Sequence, residues 1–327
     1  MYLPIRYPEE EETEIKEEEV EETTEEVAEE VEAKEEAETE ETVVEKAEEE
    51  EGAVVTEEVG IAEEKAELAE EEVCQVMFPK GKDVKYLFTA LANLLHEANL
   101  VFTPDGIKMK SIDPSKVSLL ILDIPSVNLE EVRVPREMKV GIVFDIIKKI
   151  AKRIKARDKI EFLVKPGTGR FYLTIYSKKG REAGIYRRFG IPIINVAEEE
   201  IPEPSLTYPV RIRMDIDTFT DIVAAADEIT DAVTFIAKPD AFIIKAMGEG
   251  GKGLEAEYTR TDEAIYELEA EETCEATYST EYILDCARQM KQICEYVIIE
   301  FATNKPLKLV FEFSVGKLQF YLAPRAV

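Results

Sequence analysis

Residues Phe144 to Arg157 read FDIIKKIAKRIKAR. At about 100° per residue, Val143, Ile146, Ile147, Ile150, Ala151 and Ile154 share one broad helix face, while Lys148, Lys149, Lys152 and Lys155 share the opposite one. Asp145 in the first turn and Lys155 and Arg157 in the last suit the helix dipole. The spacing therefore predicts a helix over residues 144–157 with one packing face and one row of positive charge. A basic row is also what an ordinary solvated face looks like, so its meaning depends on the scaffold around it.

Short strand-like runs flank this helix: Met138 to Ile142 before it, then Lys159 to Val164, Arg170 to Ser177 and Glu182 to Phe189 after it. Upstream, Cys74 to Phe78 reads as a strand, and Lys82 to Ala98 as an amphipathic helix with Val84, Leu87, Leu91, Leu94 and Leu95 inward and His96 near its end. Asn99 to Phe102, Ile107 to Ile112 and Val117 to Ile124 read as strands. Gly190 to Tyr208, rich in proline and acid, reads as an extended linker.

Beyond the linker the same order returns. Val210 to Met214 is a strand and Ile216 to Ile229 a helix. Ala232 to Ala237, Ala241 to Met247 and Leu254 to Arg260 are strands, and Thr277 to Cys294 is a strand leading into a helix. Val297 to Ala302, Lys308 to Phe313 and Lys317 to Leu322 close the series as strands. Each helix of the first half recurs about 135 residues later, which marks an internal duplication of an α+β unit. The division expected is an acidic extension over 1–72, one unit over 73–189, a linker over 190–208 and a second unit over 209–327.

Charge is distributed unevenly along the 327 residues. Residues 1–75 hold 33 Asp or Glu against 5 Lys or Arg, net −28, which leaves only −3 of the total −31 for residues 76–327. The low-complexity acidic segment has too little apolar surface to offset the entropy of ordering and reads as disordered or frayed helix. Its alternative reading is an acidic arm that mimics nucleic acid. The nearly balanced remainder has room for separate patches of both signs, so a polyanionic partner is not excluded.

Catalytic signals are weak. Cys74, Cys274, Cys286 and Cys294 have no CxxC spacing, and His96 is the single histidine. Gly248 to Gly253 (GEGGKG) lacks the order of a phosphate loop and lies between two strands, so it reads as a hairpin turn. No nucleophile, base and orienting group come together, so a binding protein rather than an enzyme is expected, with no cofactor and no metal. No 18-residue apolar run and no apolar core in Met1 to Pro8 point to a cytoplasmic protein.

Four spaced motifs carry a family resemblance: Ser111-Ile112-Asp113-Pro114-Ser115-Lys116-Val117-Ser118-Leu119, Asp231-Ala232-Val233, Pro306-Leu307 and Phe320-Tyr321-Leu322-Ala323-Pro324. With the duplication, they make residues 76–327 similar to the archaeal and eukaryotic proliferating cell nuclear antigen type of DNA sliding clamp. The acidic extension is not part of that pattern. The resemblance implies a trimeric ring of duplicated α+β domains, helices lining the hole and antiparallel sheets outside. Duplex DNA would be contacted without regard to sequence, as suits a nucleoid-associated protein that slides.

Family DNA-facing positions fall on Lys80, Lys82, Lys85, Lys148, Lys149, Lys152, Arg153, Lys155, Arg288 and Lys291. The third helix departs from the pattern, with Asp221 and Ala224 where basic residues are frequent. Subunits would meet through strands Ala183 to Phe189 and Leu254 to Arg260, pairing Arg187 and Arg188 with Glu255 and Glu257, and placing Ile185, Leu254 and Tyr258 in apolar contact. Client enzymes would insert a short motif at Ile112, Lys116, Val117, Pro306, Tyr321, Ala323, Pro324 and Ala326, beneath Val196 and Ile201 of the linker. The partners implied are further copies or paralogous clamp subunits, DNA polymerase, clamp loader, flap endonuclease and DNA ligase. Two other readings stay open on the residues alone: a duplicated α+β enzyme whose basic helix binds a phosphorylated substrate, and a monomeric nucleic-acid-binding regulator.

Overall fold

The computed structural model describes residues 73–165, 167–183, 186–197, 201 and 206–325. The acidic extension, Ile185 and Ala326 lie outside them. The first repeat runs β1 (Cys74–Phe78), α1 (Gly81–Leu94), β2 (Glu97–Thr103), β3 (Gly106–Ile112), β4 (Ser118–Pro125), β5 (Glu131–Arg133), β6 (Met138–Val143), α2 (Phe144–Ala151), β7 (Lys159–Val164), β8 (Arg170–Tyr176) and β9 (Tyr186–Pro192). The second runs β10 (Val210–Asp215), α3 (Ile216–Asp227), β11 (Ala232–Ala237), β12 (Ala241–Met247), β13 (Gly253–Thr259), β14 (Ile265–Ala270), β15 (Cys274–Ser279), α4 (Thr280–Met290), β16 (Tyr296–Phe301), β17 (Leu307–Phe313) and β18 (Gly316–Leu322). The order of strands and helices is the same in both, so each element of the first repeat has a counterpart in the second.

Among the described residues all strand pairing is antiparallel and forms three sheets. Their orders are β5-β1-β7-β8-β9, β14-β10-β16-β17-β18-β4-β3-β2-β6 and β13-β12-β11-β15. By correspondence each repeat owns a five-stranded and a four-stranded sheet. Pairing of β18 with β4, from Lys317 opposite Asp123 to Leu322 opposite Ser118, fuses the second repeat's five strands to the first repeat's four. The other two sheets end on unpaired edges at β9 and β13.

Both repeats bury an aromatic cluster between helices and sheet. Phe78, Phe88, Phe162 and Phe171 stack at ring separations of 4.9–5.4 Å in the first, and Phe235 gathers Phe219, Phe242, Tyr278 and Phe301 within 5.5–6.1 Å in the second. The inward residues Val84, Leu87, Leu91, Leu94 and Leu95 are all buried. At about 1.5–3 kcal/mol for each large apolar side chain, such faces rather than helix propensity hold the helices to the sheets. α1 packs against α2 and α4, and α4 against α3, so the four helices form one row across both repeats.

Several boundaries differ from the sequence reading. The basic helix stops at Ala151 rather than Arg157. Arg153 and Ile154 donate to the carbonyls of Ile150 and Ala151, tightening the last turn. The carbonyls of Ala156 and Asp158 then accept from Lys82 and Gly81, the otherwise unsatisfied first N–H groups of α1. Ile154 stays buried at 2% exposure, so its apolar period reflects packing beyond the helix. The first helix ends at Leu94, because the following segment pairs with β6, and His96 lies in the bend after it, exposed.

Strands β5 and β14 had no signal strong enough to be expected. β9 begins at Tyr186 after a short 3-10 turn over Gly180–Ala183 and continues to Pro192, so the first linker residues belong to a strand. Ile194 bridges Gly141 and covers the β6 edge. Cys274–Ser279 and Thr280–Met290 divide what read as one strand-to-helix run. The Gly248–Gly253 turn does link the β12–β13 hairpin.

Gly81 shows how closely α1 meets the turn after α2: a Cβ there would lie 2.5 Å from the Lys155 carbonyl oxygen and 2.7 Å from Ile154 Cγ2. Gly81→Ala is expected to destabilise the protein by about 1–3 kcal/mol through overpacking, read as a lower thermal midpoint. An unchanged midpoint would mean that the turn yields without cost.

Candidate nucleic-acid and partner interfaces

The helix row carries most of the predicted cationic residues. Lys82 and Lys85 are partly exposed on α1, and Lys80 is exposed at its N-cap. Lys148 and Lys149 lie on α2, with Lys152 as its C-cap. Arg153 and Lys155 stand exposed on the turn beyond. Lys148 Nζ donates to Asn93 Oδ1 at 2.7 Å, and Asn93 Nδ2 to the Asp285 carbonyl at 2.9 Å, so a polar chain ties α2, α1 and α4 together.

Charge changes sign along this row. Arg288 is exposed on α4, but Lys291, the C-cap of that helix, lies 3.3 Å from Asp217 and 3.2 Å from Asp221 of α3. Burial alone would lower the Lys291 ammonium; the two carboxylates outweigh it and raise it. Burial, then repulsion from Glu281, pushes the Asp285 carboxyl up, against the opposing pull of Lys148 and Arg288. The aspartate of the third helix that departs from the family pattern thus engages a lysine expected to face DNA.

The structure treats the four edge charges unequally. Arg188 Nε donates to Thr174 Oγ1 at 3.1 Å and its guanidinium lies 3.7 Å from Glu161, within its own sheet. Glu255 pairs with Lys245 at 3.0 Å. Arg187 and Glu257 are exposed and have no ion pair within the chain among the described residues. Leu254 and Tyr258 are half-buried on β13.

The expected client residues surround two adjoining hollows that share Ile112 and Lys116. Val117, Pro306, Tyr321 and Ala323 line the smaller, of about 180 Å³, with Leu206. Val196 and Ile201 line the larger, of about 510 Å³, with Leu95, Lys110 and Lys139. Pro324 follows Ala323, half-buried. The loop between is wound around the buried Asp113 carboxylate, which accepts from the N–H groups of Ser115 and Val117 at 2.9 Å each and from Ser118. That winding places Lys116 at φ 58° and leaves Val117 exposed. The Val117 carbonyl accepts from Ala323, binding the C-terminal segment to the loop.

Sequence reasoning missed the carboxylate around which this loop turns, although an Asp followed by Pro and Ser is a turn-forming signal. It also missed Glu161, a buried carboxylate on β7 that gathers Arg181, Gln75 and Tyr176; no local pattern announces contacts between four separate segments. Among the described residues no group of three or more His, Cys, Asp or Glu is placed to hold a metal ion, and no helix is long and apolar enough to cross a membrane. The four cysteines are buried and unbridged.

Family comparison agrees with this architecture. The profile of the proliferating cell nuclear antigen N-terminal domain matches residues 74–196, and that of its C-terminal domain residues 200–326. DNA polymerase sliding clamp 2 of Pyrobaculum aerophilum is 40% identical over 251 residues, 77% of this chain and 98% of the relative. The DNA polymerase sliding clamp of Thermofilum pendens is 33% identical over 250 residues, 76% of this chain and 98% of the relative. Among solved structures, a PCNA from Thermococcus kodakaraensis superposes with a TM-score of 0.71 at 25% identity, over 77% of this chain and all of the other. A PCNA2–PCNA3 complex from Sulfolobus tokodaii gives 0.70 at 28% identity over 77% of this chain and 100% of the matched one.

Fold and surfaces together define the class, a duplicated α+β clamp subunit with a helix row on one side and open sheet edges. The chain belongs to the proliferating cell nuclear antigen family, whose members include the DNA polymerase sliding clamps of archaea.

Glu161 offers a pH test of the β9 edge. Burial raises its carboxyl, but hydrogen bonds from Arg181, Gln75 and Tyr176 outweigh this and bring it below the ordinary 4.5. Its stabilising effect is therefore present above pH 4.5 and lost as pH falls through the lower folded value. Glu161→Gln is expected to cost about 1–3 kcal/mol at neutral pH, with the gap from the parent protein closing on acidification in thermal melts. A gap that stays constant with pH would contradict the assignment.

Proposed function

We propose that three copies of this chain close head to tail into a ring around duplex DNA and serve as a sliding clamp. In this reading two clamp domains are joined by the segment after β9, and the protein is a tether without catalysis of its own. The observation that carries the reading is the β18–β4 junction. In the shared correspondence β9 is the counterpart of β18 and β13 the counterpart of β4, and unlike those two, β9 and β13 each have a partner on one side only among the described residues. An interchain β9–β13 ladder would repeat between molecules the pairing that exists within one.

Register supports this further. Lys317 stands opposite Asp123, with Nζ 3.9 Å from Oδ2. Lys317 is the second pair of its hairpin with β17, as Arg187 is of its hairpin with β8. Counted likewise from the turn, Asp123 is in the fifth pair of the β3–β4 hairpin, as Glu257 is of β12–β13. Repeating the junction therefore brings Arg187 opposite Glu257, the two edge charges with no ion pair of their own among the described residues. Both lie in one chain, so identical copies suffice, and a head-to-tail contact that turns by a third of a circle closes at three.

Sedimentation of the purified chain without DNA should give three times the chain mass. Arg187→Glu should weaken assembly by about 1–2 kcal/mol per junction, and Arg187→Glu with Glu257→Arg should restore it. A parent chain that stays monomeric, or a double variant no better than the single one, would refute self-closure through these edges. Once loaded, the ring should be retained on closed circular DNA and lost on linearisation.

DNA polymerase, clamp loader, flap endonuclease and DNA ligase are the partners this reading assigns to the two hollows. An extended peptide with apolar anchors fits a groove walled by Val117, Pro306 and Tyr321, with the main chain after β18 alongside. Tyr321→Ala with Pro324→Ala is expected to reduce client stimulation at least tenfold, by roughly 1.4 kcal/mol or more of binding, while sedimentation stays trimeric. Undiminished stimulation would displace the client site from this groove.

A further inference from the structure

We propose that the first-repeat helices alone hold the phosphate backbone of duplex DNA, and that Asp217 and Asp221 keep Lys291 from joining them. The proposal rests on the clamp reading and assigns the phosphate contacts to one half of the helix row.

On α1, α2 and the turn after α2, the outward cations are Lys82, Lys85, Lys148, Lys149, Lys152, Arg153, Lys155 and Arg157. Two acids share those elements before the turn closes. Asp83 is 1% exposed and accepts from Ser314, and Asp145 faces His96 at 3.9 Å. The outward surface there is strongly positive. On α3 and α4 the outward acids are Asp217, Asp221, Asp227, Glu281 and Asp285, against Arg288 and Lys291. Thr280 bonds Asp227 at 2.5 Å, which leaves its charge in place.

Lys291 is the decisive residue. One ammonium between two carboxylates leaves a net charge of −1, and those carboxylate side chains are 69% and 73% exposed, so an approaching phosphate meets them directly. Within a Debye length of about 8–10 Å the two negative charges more than cancel the lysine. Arg288 shares its helix with Asp285 and Glu281, so it too has acid within its own surface. Counterion release then counts the first-repeat cations, and log K falls against log salt with a slope near −0.9 for each phosphate neutralised. A ring held by one face of each subunit binds loosely, which suits a protein kept on DNA by topology.

The test uses the full chain and a fluorescently labelled duplex, with anisotropy titrations over a series of KCl concentrations. Asp217→Asn with Asp221→Asn should tighten binding by about three- to tenfold at low salt and steepen the slope by about 0.9 per chain. Adding Lys291→Gln should remove that gain. Both aspartates point into solvent, so the core is untouched. Lys148→Glu, Lys149→Glu and Lys152→Glu together should weaken binding by more than tenfold. Loss in this triple variant with no gain from the aspartate variant would overturn the masking alone, as would a gain that survives Lys291→Gln. Unchanged binding in the triple variant would overturn the DNA face itself and the clamp reading with it.

Discussion

Pairing of β18 with β4 is the constraint on which the rest depends. Six residues on each strand align to merge the five strands of one repeat with the four of the other into a nine-stranded sheet. A sheet that continues across the junction aligns the two repeats, and their helices fall into one row because each is packed on its own part of the sheets. The same pairing decides what is left open. A duplicated unit joined to itself once must expose one strand of each junction type, and these are β9 and β13. Unpaired edges are a liability for a monomer and a means of assembly for a ring.

Two of the other edges, at β6 and β15, are covered by the chain itself. Ile194 bridges Gly141 at the β6 edge, while Arg325 donates to Thr277 and Asn304 to Glu275 at the β15 edge. The segment after β9 and the segment after β18 thus do equivalent work in the two repeats. The first lines the larger hollow with Val196, Ala197 and Ile201, and the second forms the wall of the smaller beside Tyr321. The groove is a by-product of covering these edges. Asp113 adds the specific shape, since satisfying three N–H groups with one carboxylate forces the loop outward at Val117.

Electrostatics follow the fold only in part. The packed face of α2 fixes where its lysines point, but the sheet and α1 decide where the helix ends. Lys152 caps it, and Arg153 and Lys155 continue on a turn whose carbonyls serve the N-terminus of α1. The second repeat preserves the scaffold while its helix surface turns acidic. Duplicated folds can therefore carry different surfaces, because packing constrains only the buried side of each helix.

Much of the fold was legible in the sequence. The period of Ile147, Ile150 and Ile154, the alternation within strands and the spacing of about 135 residues between like helices are local or repetitive signals, and burial of apolar side chains enforces them. Three-residue β5 was not legible, since Glu131 and Arg133 show no apolar alternation and only pairing with β1 makes them a strand. The candidate site divides the same way. Positions of the lysines and of the Asp113 loop motif could be read from residue type and order. The engagement of Lys291 by Asp217 and Asp221, of Arg188 by Glu161 and of Glu255 by Lys245 could not. The first two join residues well apart in the chain, the third faces its partner across the β12–β13 hairpin, and all three depend on distances of a few ångströms. The sequence by itself determined the repeat, its elements and its basic helix, because hydrophobic period is a local property. Only the tertiary structure decided which strands stay open and which charges remain free, because both depend on what the folded chain brings alongside.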